Sequence, residues 1–172
     1  MDIFFEWSRC IDGYQIETDE INFMAQTITP KSNRYKRFNP LKTHSALLMQ
    51  LAGIQTKRGF IQFASHNGLL NSQKKDSESV ETWKLYTEQM SAVKNASKNG
   101  NWDCLIHYFN LHKLNLVKIY IDSSGKRPKI KITPQTLLQA IWWQFFETIS
   151  NKNNLKICSS CSTWFTVGPG TG

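Results

Sequence analysis

Cys158 and Cys161 are the residues in this chain whose type and spacing point most directly to chemistry. A Cys-x-x-Cys on a tight turn aims two thiolates at one ion, with zinc–sulfur distances of about 2.3 Å. The aromatic pair Trp164-Phe165 follows, suited to sealing such a turn. Structural zinc takes four ligands in a tetrahedron, and no second cysteine pair follows before Gly172. The first reading is therefore half of a four-cysteine zinc site whose other half would lie past Gly172. Zinc is then expected to be absent from this chain alone, or weakly held. A second reading is a redox dithiol. Such a pair usually opens a helix within a βαβ unit, whereas here Ser162-Thr163-Trp164-Phe165 runs towards Gly168-Pro169-Gly170. Two inert thiols are the third.

Other groups carry weaker signals. Cys104 and His107 fall on one helical face at i, i+3, with His112 five residues on, a spacing that can chelate. The plainer reading of Cys104, beside Leu105 and Ile106, is a core cysteine. Asp103 and His107 at i, i+4 suit an acid–base pair and equally an ordinary pair on a helix surface. His44 and His66 have no partner in the sequence and read as ordinary polar positions. There is no P-loop, Gly-x-Ser-x-Gly, His-Glu-x-x-His or glycine-rich dinucleotide turn, and an enzyme is not expected.

Charge is the remaining functional signal. Residues 1–29 hold six acids against one arginine, a net of −5, and the rest hold twenty bases against seven acids, a net of +13. A basic body suits a polyanion, DNA or RNA, and equally a well-solvated surface. The candidate contacts are Arg34, Lys36 and Arg37 in a basic stretch, and Lys118, Lys126, Arg127, Lys129 and Lys131 around a predicted hairpin. The opening Met-Asp-Ile-Phe-Phe-Glu lacks the cationic region of a signal peptide. The apolar run near Ile141 to Phe146 is too short for a bilayer. The expected compartment is the cytoplasm, with no membrane partner, and the four cysteines read as thiols or ligands rather than disulfides.

These groups need elements to position them. Residues 3–8 and 14–17 read as short strands around Asp12-Gly13, and 30–42 as a polar surface loop ending at Asn39-Pro40. A helix is expected from His44 to Ala52, with Leu47, Leu48 and Leu51 on one stripe, stopped by Gly53. A second is expected after a Thr56 cap, with Phe60, Ile61, Phe63 and Ala64 inward and Gly68 as its stop. Asp76 or Ser77 is read as the cap of a third, carrying Val80, Trp83, Tyr86, Met90 and Val93 inward and closed by Gly100. Asn101 starts a fourth, with Trp102, Leu105, Ile106 and Phe109 on one face. A hairpin spans 116–132, with Lys129 and Lys131 on one face and Ile130 and Ile132 on the other. Thr133-Pro134 then opens a last helix with the widest apolar stripe of the chain: Leu137, Leu138, Ile141, Trp142, Phe145 and Ile149. The expected class is mainly α, with short N-terminal strands and the hairpin near 116–132 as its small β component. One helical domain covers 1–154, and a partial zinc-knuckle tail covers 155–172.

A family resemblance runs through these elements. Phe38-Asn39-Pro40-Leu41, then Phe60 to Leu70 (Phe-Ile-Gln-Phe-Ala-Ser-His-Asn-Gly-Leu-Leu), resembles a "Pro-Leu … Phe-Ala-x-x-x-Gly-Leu-Leu" pattern in uncharacterised bacterial proteins. Leu137 to Phe145 followed by Cys158-x-x-Cys161-x-x-Trp164-Phe165 resembles their C-terminal end, a zinc-finger tail related to the CGNR type. The resemblance implies a nucleic-acid-binding or transcription-regulatory protein, with Cys158 and Cys161 as zinc ligands. The chain departs from the type in having neither a second cysteine pair nor a Cys-Gly-Asn-Arg element. The other functional class left open is a protein-interaction or structural module that binds no nucleic acid.

Overall fold

A computed structural model describes residues 2–3, 5–20, 25–43, 46–72, 76–112, 118–122, 129–150, 154–157 and 164–167. Strands come first, up to Phe38. These are β1 (Asp2–Ile3), β2 (Trp7–Cys10), β3 (Tyr14–Thr18), β4 (Gln26–Pro30) and β5 (Tyr35–Phe38). Gly13, at φ +81°, makes the turn after β2, with its N–H on the Cys10 carbonyl at 3.3 Å. β2 and β3 flank that turn but do not pair with each other. β2 runs antiparallel to β5, from Trp7 opposite Phe38 to Cys10 opposite Tyr35. β3 runs antiparallel to β4, and β4 takes a third strand, β6 (Glu78–Ser79), at its other edge.

Helices follow. α1 (Pro40–Thr43) and α2 (Leu47–Ala52) are short. In α2 five of six side chains are buried, so it is a core plug rather than the one-striped helix expected from His44. α3 (Lys57–Asn67) starts where Thr56 Oγ1 accepts the Gly59 N–H at 3.1 Å, and Gly68 ends it. α4 (Val80–Lys98) is capped by Ser79, whose hydroxyl accepts the Glu81 N–H, not by Asp76 or Ser77. Its buried set of Val80, Trp83, Thr87, Met90, Val93 and Ala96 keeps the three-and-four step of an amphipathic helix. In α5 (Trp102–His112) Leu105 is buried, but Ile106, expected on the same inward face, is 55% exposed.

The predicted hairpin is present as β7 (Lys118–Asp122) and β8 (Lys129–Thr133), and β1 joins the far side of β8 in parallel. Thr133 ends β8, so it does not cap the helix that follows. α6 (Leu137–Ser150) is opened by a reciprocal pair instead. Thr136 Oγ1 accepts the Gln139 N–H at 3.1 Å, and Gln139 Oε1 accepts the Thr136 N–H at 3.3 Å. That is a capping box, which satisfies two orphan amides of the first turn. β9 (Asn154–Ile157) and β10 (Trp164–Val167) pair antiparallel.

The core joins both kinds of element. Trp7, Trp83 and Trp142 are each at most 1% exposed. Each removes roughly 150–250 Å² from water, worth several kcal/mol at about 25 cal/mol per Å². Trp7 stacks on Phe5 at 5.6 Å between centroids, while Phe60 and Phe63 of α3 meet the Trp83 ring at 5.7 and 6.0 Å.

The class is therefore mixed α/β, not mainly α. The strands that overturn the expectation are β4, β5 and β6, together with β1 on β8 and the β9–β10 pair. Residues 30–42, read as a loop, contain β5 and the start of α1. Tyr35-Lys36-Arg37-Phe38 has no period-two alternation to announce a strand, because both middle positions are exposed and both ends half-buried. Among the described residues no helix is long and apolar enough to cross a membrane.

Candidate functional site

β5 and the residue just before it place three of the predicted cations. Lys36 and Arg37 are exposed on it, and among the described residues neither is paired with a carboxylate. Arg34, just before β5, is engaged: its Nη2 and Nε bind the two oxygens of Asp12, the Nε at 3.0 Å. Ser32 Oγ also donates to Asp12. The bonds from Arg34, then from Ser32, hold the Asp12 carboxyl below the usual carboxylate range. Arg34 thus fastens the turn end of the β2–β5 ribbon.

Arg9, absent from the sequence-derived set, lies across the ribbon. It is directly opposite Lys36, and opposite residues of an antiparallel pair share a face, with Cβ atoms about 4.5–5.5 Å apart. The guanidinium carbon sits 5.1 Å from the Phe38 ring centroid, and Nη1 donates to the His66 carbonyl at 2.7 Å. That carbonyl is in reach because α3 ends against β2. A Cβ on Gly68 would come within 2.6 Å of the Ser8 carbonyl oxygen, and Trp7 Nε1 donates to the Leu69 carbonyl at 2.9 Å. Arg9 left no periodic or compositional signal, being a single arginine in an acidic leader.

The other predicted basic set looks different once register is known. Across β7–β8, Lys129 is opposite Asp122, Lys131 opposite Tyr120 and Lys118 opposite Thr133. On its other side Lys131 is opposite Asp2 of β1. Register places 118, 129 and 131 on one face, as alternation anticipated for the lysines of β8, but interleaves Asp2 and Asp122 with them. β8 is also the central strand of its sheet, so its lysines do not guard an edge. Lys126 and Arg127 lie outside the described residues.

So do Cys158 and Cys161. They fall in the stretch between β9 and β10, where Ile157 is opposite Trp164. Two thiolates are half of what a closed tetrahedral zinc site takes. Among the described residues no group of three or more His, Cys, Asp or Glu is placed to hold a metal. Cys104 packs half-buried against the core, and His107 is exposed, its ring meeting Tyr108 edge-on. Asp103 is likewise exposed. His66 is exposed at the end of α3, its Nδ1 2.7 Å from the Gln62 carbonyl oxygen. His44 lies outside the described residues.

Two further features were not anticipated. Glu78 is the one buried charged side chain among the described residues. It accepts four N–H groups: Leu70, Asn71 and Ser72 from the backbone at 3.0, 2.5 and 2.8 Å, and the Trp83 indole at 2.6 Å. With its lone pairs filled and solvent excluded, it organises the structure around it. An open cleft of about 430 Å³ runs between the start of α3 and α4, with Phe60 and Ala52 at its apolar base and Lys57, Lys84 and Glu88 among its walls. Lys84 is already paired with Glu81 at 2.5 Å.

Comparison with protein-family models, with curated proteins and with solved structures finds no match for this chain.

Proposed function

We propose that this chain is a cytoplasmic nucleic-acid-binding protein of a regulatory kind, which grips phosphates without reading base sequence. The observation that carries the reading is the β5 strand: Lys36 and Arg37 stand exposed and free of carboxylates among the described residues, with exposed Lys31 and Arg34 just before them. Cations on a strand are presented at a fixed backbone spacing, and each phosphate contact releases condensed counterions. The net of +13 beyond residue 29 adds a long-range attraction. The resemblance to proteins with CGNR-type tails points the same way. The zinc-knuckle reading of Cys158 and Cys161 belongs to this proposal only for a form that supplies the two missing ligands; this chain alone would hold the metal weakly or not at all.

The lysine face of β7–β8 contributes less. Asp2 and Asp122 stand beside Lys131 and Lys129 in register, and neighbouring opposite charges lower the potential that a phosphate would meet. This juxtaposition favours a scaffold role for that sheet, as in a protein-interaction module.

The test is fluorescence anisotropy with a labelled generic oligonucleotide, single-stranded and duplex, between about 50 and 200 mM salt. Binding should weaken steeply with salt. Lys36→Ala/Arg37→Ala should lower the slope of log affinity against log salt by about 1.4–1.8, the share of two phosphate contacts. Lys129→Ala/Lys131→Ala should change it less. Absence of binding at the lowest salt overturns the proposal, and an unchanged slope in the β5 variant removes β5 from it.

A further inference from the structure

A like-charged pair sits directly across the β2–β5 ladder, and nothing among the described residues neutralises it. Arg9 and Lys36 are register partners. Like charges so placed destabilise a sheet, and proteins commonly relieve them with an acid on a neighbouring strand. Among the described residues no carboxylate pairs with either, and Asp12, at the turn end of the ribbon, binds Arg34. Arg9 is also not free to swing away. The Phe38 ring lies 5.1 Å from its guanidinium carbon, and the His66 carbonyl holds Nη1 at 2.7 Å. The pinning uses one of five N–H donors and leaves the rest of the fork for a ligand. Lys36, exposed on its flexible stem, can close over the same point from the partner strand.

We infer that Arg9 and Lys36 form a seat for one phosphate group, with Arg9 as the pre-oriented fork and Lys36 as the mobile second charge. A planar guanidinium matches a phosphate in a bidentate way that an ammonium cannot, and an anion between the two cations turns a local repulsion into two attractions. The inference deepens the nucleic-acid reading by naming where a phosphate binds. The same chemistry also admits free phosphate or pyrophosphate. A plainer role for Arg9 is satisfaction of the carbonyl of His66 in the last turn of α3. That role accounts for Arg9 but gives Lys36 no part.

The experiment titrates the full chain with inorganic pyrophosphate and, separately, with the labelled oligonucleotide. It follows affinity and melting temperature for the parent, Arg9→Gln, Arg9→Lys, Lys36→Gln and the control Lys98→Gln at the far end of α4. Saturable pyrophosphate binding is expected. Arg9→Gln and Lys36→Gln should each weaken it about tenfold, as for loss of one charge-assisted contact. Arg9→Lys should fall between parent and Arg9→Gln, and Lys98→Gln should match the parent. Lys36 is exposed and makes no ion pair among the described residues, so the effect of Lys36→Gln is read against an unchanged melting temperature. No saturable pyrophosphate binding by the parent overturns the seat. So does parent-like affinity in Lys36→Gln, or an Arg9→Gln that melts earlier and binds as before. Oligonucleotide binding that survives both glutamine variants ends the seat but leaves the nucleic-acid reading standing. Pyrophosphate binding at the seat without oligonucleotide binding does the reverse.

Discussion

The carboxylate of Glu78 accepts the indole N–H of Trp83 at 2.6 Å, deep in the junction between β6 and α4. The same carboxylate gathers the amides of Leu70, Asn71 and Ser72, so one side chain closes the loop after α3 and seats the largest ring of α4. With no cation paired to it among the described residues, the buried carboxylate is tolerable because four donors replace its water.

Removing that acceptor strands four donors, at least two of them buried. Glu78→Ala is expected to cost about 3–5 kcal/mol of stability. Glu78→Gln keeps the shape but turns an NH2 towards donors, and should cost less, about 1–2 kcal/mol. Urea unfolding measures both. A loss near zero in Glu78→Ala would mean that the four hydrogen bonds contribute little to the fold.

Gly68 has φ +86° and ψ −177°, a region that side chains essentially do not enter, and an added Cβ would press on the Ser8 carbonyl oxygen and on Trp7. Gly68→Ala should therefore cost about 3 kcal/mol or more. Gly100 also has positive φ, +66°, but opens onto empty space. Gly100→Ala should cost only about 1 kcal/mol. Thermal melts of the two variants separate the price of close approach from that of backbone conformation alone, and a Gly68→Ala melt like that of Gly100→Ala would deny the tight docking of α3 on β2.

Tyr14 is buried, its hydroxyl oxygen accepts the Cys10 amide at 3.0 Å, and burial pushes its pKa up to about 12. An unfolded tyrosine loses its proton near pH 10. The folded state therefore favours the neutral phenol. Its contribution to stability is whole below about pH 10 and is lost as pH climbs from there towards 12. Phenolate absorbance should show one of the five tyrosines ionising late, and Tyr14→Phe should erase that step. Ionisation of Tyr14 together with exposed tyrosines would contradict its burial.

Much of the helical framework was legible. The stripes of α4 and α6 run for three turns or more, so a spacing of three and four residues is unmistakable, and Thr56 and Gly68 act by local hydrogen bonding and backbone conformation. The hairpin was legible for the same local reason. The candidate site was legible only in part. Lys36 and Arg37 stood out by type, but their strand did not, since four residues with two exposed neighbours in the middle carry no alternation.

Residue order determined roughly where α3, α4 and α6 lie, the apolar stripes of α4 and α6, and that bases crowd the chain beyond its acidic leader, because these depend on neighbours within a few positions; the caps that open α4 and α6 were not legible there. Tertiary structure decided the rest. It set Asp2 beside Lys131, Arg9 beside Lys36 and three loop amides around Glu78. Backbone amides are the same in every sequence. A strand pair that joins residues dozens of positions apart is selected by total burial, not by any local pattern. Whether a cation meets an acid, an aromatic ring or another cation is therefore settled only when the strands close.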